Sequence, residues 1–161
     1  MRNFSTRLLI ILSFALAAKN SLAQTPVTPS LLQRVENRFE KQGQYVYRQT
    51  IESVNSRTDG LPSDNDADFI PGKEMLVVAV FSKKPDSAFA RMVVTKHFGK
   101  KKSYDEHQFQ TVAFEPSLEI YYSLLQVILP AEANKANCSV NLQVFDKKHP
   151  ADKVWLLVFS K

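Results

Sequence analysis

The chain has 161 residues, 44% hydrophobic and 23% charged, with one cysteine and four glycines. That composition suits a single domain with its own core and excludes both a disulfide-stapled scaffold and a disordered chain. The formal net charge of +5 comes partly from Arg2, Arg7 and Lys19, which stand before Gln24 without an acid among them. Residues 24–161 then carry +2, too little for a nucleic-acid partner, which needs a concentrated basic face.

The first element is an export signal. In MRNFSTRLLIILSFALAAKNSLA, Arg2 and Arg7 form a positive start, Leu8 to Ala18 an apolar run, and Ser21-Leu22-Ala23 a small-residue cleavage pattern before Gln24. A membrane anchor needs about 20 apolar residues in succession, and Lys19 and Asn20 break this run sooner. Residues 1–23 therefore read as a signal peptide, and residues 24–161 as one β-rich domain without a transmembrane segment. Its expected location is the periplasm or the extracellular space, in a bacterial setting.

The domain opens with TPSLLQRVENRFEKQG. Thr28 is a cap, Pro29 fits the first helical turn because its missing N–H has no partner there, and Gly43 suits a left-handed close. Leu31, Leu32, Val35 and Phe39 share one face, so an amphipathic helix is predicted near 29–42. Beyond Gly43 the pattern changes to short runs rich in Val, Ile, Phe and Tyr. They predict strands near 45–54, 74–82, 89–98, 107–114, 118–129, 137–145 and 153–160.

About seven strands after one N-terminal helix give a mainly β fold, an antiparallel sandwich or partly open barrel. MLVVAVF and VWLLVF, apolar on both phases, are expected at the sheet centre. NCSVNLQVF alternates and should have one wet face. Cys138 falls on its apolar phase, so burial is expected, a poor setting for a thiolate nucleophile. PSLEIYYSLLQVILP also carries a helical stripe, but its Ile, Tyr and Val favour strand.

The stretch SDNDADFIPGKE places Asp64, Asp66 and Asp68 at alternate positions, as calcium loops do. The helix-loop-helix pattern fails where it matters, with Phe69 at the glycine position and Met75 at the bidentate-acid position. A site would have to recruit Asp105, Glu106 and His107 from the turn FGKKKSYDEH, which also brings Lys100, Lys101 and Lys102. The expectation is a solvated acidic loop with no tight metal. Strand parity gathers residues 55–73, that turn and PAEANKAN at one end, with SKKPDS, FEPS and DKKHPADK at the other.

No cofactor is indicated. The histidines at 97, 107 and 149 lack zinc spacing, and no nucleophile elbow or phosphate-cradling loop occurs. Glu115 and Glu119 are a carboxylate pair in sequence only. Lys83, Lys84, Lys147, Lys148 and His149 would form a cationic rim for an anionic ligand, weighed against lysines that keep turns soluble. The functional expectation is an exported, non-enzymatic binding or accessory module whose partner is an envelope protein or polysaccharide. The alternative is a small secreted hydrolase with a spatially assembled acid or His-acid site.

Overall fold

The computed structural model describes residues 26–54, 63–85, 89–98, 100–134, 137–145 and 152–161. The export signal expected in residues 1–23 lies outside them, as do Lys147, Lys148 and His149. Among the described residues one helix, α1 (Pro29–Gly43), precedes nine strands: β1 (Val46–Val54), β2 (Ser63–Asp66), β3 (Glu74–Phe81), β4 (Phe89–Phe98), β5 (Lys101–Gln108), β6 (Ala113–Glu115), β7 (Ile120–Ile128), β8 (Cys138–Phe145) and β9 (Lys153–Ser160). They form two antiparallel sheets, of order β1-β9-β3-β7-β6 and β2-β8-β4-β5. Among the described residues no helix is long and apolar enough to cross a membrane.

The helix begins as its sequence dictates. Thr28 is extended, its hydroxyl accepts from the Leu31 N–H at 3.2 Å, and Pro29 opens the first turn. Its close differs from expectation, because the left-handed residue is Gln44 (φ 56°) and Gly43 ends the helix itself. The reason is steric: a Cβ on Gly43 would stand 2.3 Å from the Tyr45 ring. Glycine is therefore required for close approach rather than for a positive φ.

The helix covers one face of the five-stranded sheet. Leu31 and Val35 are buried with Leu76, Val78 and Val80 of β3 and Leu157 and Phe159 of β9. The opposite phases of those strands, Met75, Val77, Ala79, Val154, Leu156 and Val158, pack in a second cluster against Met92, Val94, Val140, Leu142 and Val144. Three layers result: helix, five-stranded sheet, four-stranded sheet. β3 and β9 are covered on both faces, which is why MLVVAVF and VWLLVF lack alternation, whereas β8 alternates buried and wetter positions.

Two strands appear where loops were expected, giving nine in place of about seven. The acidic stretch supplies β2, paired with β8 from Ser63↔Val144 to Asp66↔Asn141. The lysine turn is mostly strand, since Lys101 already pairs with Phe98. The strand predicted at 107–114 is corrected accordingly: β5 ends at Gln108, and only Ala113–Glu115 forms β6. β2 and β5 are the edges of their sheet, where one side faces water, so neither shows a hydrophobic run. Segment 120–128 is strand β7, because Leu125 turns into the inter-sheet core while Ile120 turns toward the helix.

The extra strand also changes the end-to-end grouping. β2 carries the chain from one end of the sandwich to the other, so residues 67–73 stay at the end with the β4–β5 hairpin and the β7–β8 connection, as parity predicts. The C-terminal end of β1 joins the opposite end, where β3 ends and β7 and β9 begin.

Candidate binding face

The four-stranded sheet turns one face inward to the core, and the register fixes what its other face presents. On β8, Ser139, Asn141 and Gln143 point outward, because Val140, Leu142 and Val144 point inward. Opposite them stand Asp64 and Asp66 of β2 and Arg91, Val93 and Thr95 of β4. On β5, Tyr104 and Glu106 lie opposite Thr95 and Val93. Tyr104 is 63% exposed.

A polar ladder crosses this face. Gln143 Nε2 donates to Asp64 Oδ1 at 2.7 Å, Arg91 Nε donates to Gln143 Oε1 at 2.5 Å, and Arg91 Nη1 donates to the two Glu106 oxygens at 3.1 and 3.3 Å. All four strands contribute one member. Such cross-strand pairs hold planar side chains in fixed positions, which lowers the ordering cost of binding a partner.

The carboxylates weighed and set aside as a calcium site are distributed over this sheet. Asp64 and Asp66 stand outward on one edge strand, and Asp68 lies past its end, beside Phe69 and Ile70. Asp105 and Glu106 stand on the other edge, three strand spacings away, about 14 Å. They also face opposite ways: Glu106 turns outward to Arg91, while Asp105 sits on the inward phase and pairs with Lys96 at 2.6 Å. The hydrogen bond from Lys96 holds the Asp105 carboxyl below the usual carboxylate range and raises the Lys96 ammonium. β8 and β4 lie between the 64–68 acids and Asp105, Glu106 and His107, so the sheet does not bring the two groups together. Among the described residues, no three His, Cys, Asp or Glu side chains gather as a metal group.

Cys138 is 2% exposed on the inward phase of β8, opposite Lys96. Both line a cavity of about 130 Å³ with Pro130, Glu132, Ala133 and Asn137. Burial pushes the thiol pKa up, and the Lys96 charge, already engaged by Asp105, opposes that shift only in part. The thiol stays protonated at neutral pH, so it has the chemistry of a core residue rather than of a nucleophile.

Glu115 and Glu119 do not make a hydrolytic pair with free acids. The Ser117 hydroxyl and Arg38, the latter at 2.7 Å, hold the Glu115 carboxyl low, and Arg34 donates to the Ser117 carbonyl at 2.9 Å. This clamp ties α1 to the turn before β7. Of the cationic rim, Lys83 is paired with Asp152 at 3.2 Å and Lys84 is exposed.

Comparison of the chain with family models, curated proteins and solved structures gave no match. The ladder was missed in the sequence because it needs register between strands distant along the chain. Its traces were the wet phase of NCSVNLQVF, with Asn141 and Gln143, and the alternation Lys102, Tyr104, Glu106.

Proposed function

We propose that this chain is an exported binding module without catalytic activity, which lays the open face of its four-stranded sheet against an envelope or extracellular polysaccharide. The export half rests on the charged start, apolar run and small-residue pattern of residues 1–23. The binding half rests on one observation above the others, the ladder Asp64–Gln143–Arg91–Glu106 with Tyr104 at its side.

Planar carboxylate, amide and guanidinium groups form paired hydrogen bonds with adjacent hydroxyls, and charged members make the stronger ones. A tyrosine ring offers an apolar surface with a polar tip, matching the C–H face of a sugar and its rim of hydroxyls. A flat sheet suits an extended polymer better than a compact ligand. The hydrolase alternative requires acids that converge in a cleft. Here Glu106, Asp105 and Glu115 are each held by a basic partner on a neighbouring element.

The test is affinity electrophoresis of residues 24–161 through gels containing neutral, acidic or basic polysaccharides, with co-sedimentation on purified cell envelopes. Retardation by at least one polymer is expected. Tyr104→Ala should abolish it with no change in melting temperature, because the ring is mostly exposed. Unretarded migration in every gel together with no co-sedimentation, or a Tyr104→Ala variant that binds as well as the parent, would overturn the reading.

A further inference from the structure

A second feature lies at the end of the sandwich where β1 and β3 begin and β9 ends. A pocket of about 230 Å³ is lined by Arg48, Asp68, Phe69, Ile70, Lys73, Glu74, Met75, Phe159 and Ser160. Its inner wall is apolar at Met75, buried in the inter-sheet core; Phe69, packed against the same core, and Ile70 continue the apolar lining outward, while Phe159 turns its ring to the helix side of the sheet. A void of about 150 Å³ accommodates benzene. This pocket therefore suits a body somewhat larger than one aromatic ring.

Arg48 reaches it because of a bulge. The register of β1 on β9 shifts between Tyr47, opposite Phe159, and Gln49, opposite Val158, leaving Arg48 without a ladder partner. A bulge re-aims the extra side chain, and such irregularities recur beside functional sites. The guanidinium is anchored by Nε donating to Ser160 Oγ at 2.6 Å. Its two terminal nitrogens make no hydrogen bond or ion pair among the described residues. Lys73, exposed at the same rim, is also without an ion-pair partner there.

The acids at the pocket do not cancel these cations equally. Glu74 Oε1 accepts from the Tyr45 hydroxyl and, at 2.8 Å, from Gln126, and the Lys161 charge acts on the carboxylate as well, so one of its two oxygens is already engaged. Asp68 stands on the exposed side. An anchored guanidinium with its fork unused matches a carboxylate in two-point geometry.

We infer that this pocket binds a small amphiphilic carboxylate, its acid group on Arg48 with Lys73 nearby and its apolar body against Met75, Phe69 and Ile70. The inference uses none of the sheet-face residues and does not depend on the polysaccharide reading.

The experiment titrates residues 24–161 with hexanoate, hexanol and hexylamine, followed by amide chemical shifts. Hexanoate is expected to shift amides around 68–75 and 159–161 and to bind on the order of tenfold more tightly than hexanol. Arg48→Met should weaken hexanoate by roughly tenfold while leaving hexanol unchanged, and Arg48→Lys, which keeps charge but loses the fork, should fall between. Ile70→Trp, which fills the pocket, should weaken both ligands. Equal affinity for hexanoate and hexanol, shifts located elsewhere, no binding by any of the three, or an Arg48→Met variant that binds hexanoate normally would overturn the inference.

Discussion

Replacing Phe159 by alanine tests whether the helix is a third layer of the fold or an appendage. Phe159 is 0% exposed, and its ring centroid lies 5.9 Å from those of Phe39 on α1 and Tyr47 on β1. Deleting a buried phenylalanine costs about 3–5 kcal/mol, through lost transfer free energy and the cavity left behind. The unfolding entropy of a domain on the order of 140 residues is roughly 0.3 kcal/mol per degree. A loss of about 4 kcal/mol then lowers the melting temperature by about 13 °C. With a urea dependence of about 2 kcal/mol per molar, the midpoint falls by roughly 2 M.

The control is Ile128→Ala, a large hydrophobic that is 67% exposed at the end of β7, where the expected change is within about 0.5 kcal/mol. A double-mutant cycle of Phe159→Ala with Phe39→Ala should show a coupling of about 0.5–1.5 kcal/mol, as tilted aromatic pairs do. Circular dichroism and urea denaturation supply the measurements. A Phe159→Ala shift no larger than the Ile128→Ala shift, or zero coupling with Phe39, would refute the docked helix.

Three further outcomes are expected. Tyr45 is pushed up to about 12 by burial and by the Glu74 hydrogen bond, so it stabilises the fold fully below pH 10 and that contribution is lost between pH 10 and 12. Glu74 is held low by the Tyr45 hydroxyl and the Gln126 amide, so its contribution is present above about pH 4.5 and is lost as the pH falls further. In urea midpoints against pH, Tyr45→Phe should lack the alkaline loss and show a smaller acid loss, because Glu74 then has only Gln126 and the Lys161 charge to hold it low. Thiol reagents should label Cys138 only after denaturant is added, and rapid labelling of native protein would contradict its inward phase on β8. Melting curves in chelator and in millimolar calcium should superimpose, whereas a rise of several degrees that an Asp64→Asn, Asp66→Asn double variant removes would contradict the separation of the acids.

What was legible in the sequence followed from burial. Pro29 after Thr28 and the stripe Leu31, Val35, Phe39 located α1 within a residue. The doubly apolar runs of β3 and β9 announced their central places, and the alternation of β8 announced its wet face and the burial of Cys138. These elements carry their signal locally, because each buried residue must be apolar wherever its partners come from. β5 was legible only in part, since all of its residues but His107 are exposed, and a strand at an edge satisfies half of its backbone in water while its side chains are free to be lysine, aspartate or serine. The binding face was less legible still. Asp64, Gln143, Arg91 and Glu106 come from four separated segments and meet only through the strand order β2-β8-β4-β5.

The short strand β2 shows how one segment joins these problems. Read along the chain, Asp64, Asn65, Asp66 and Asp68 are an acidic loop, with a spacing that invites a metal. Read across the sheet, the same spacing is the two-residue period of a strand: Asp64 and Asp66 fall outward beside Gln143 and Asn141, and Asn65 between them turns inward opposite Leu142. An inward asparagine at a sandwich edge needs partners, and it has them. Its amide donates to the Ser53 hydroxyl of β1 at 2.9 Å and to the Leu142 carbonyl at 3.1 Å, bridging the two sheets where β1 and β2 lie side by side. The alternation that resembled a chelating loop is thus required by an edge strand that must be polar on both faces, outward for water, inward to close the seam. Alternate aspartates in a strand point the same way but sit about 7 Å apart along a straight edge, too extended to wrap a cation that needs six or more oxygens at about 2.4 Å. The same straightness suits a flat polymer face, where successive groups should present themselves in a line rather than converge on a point.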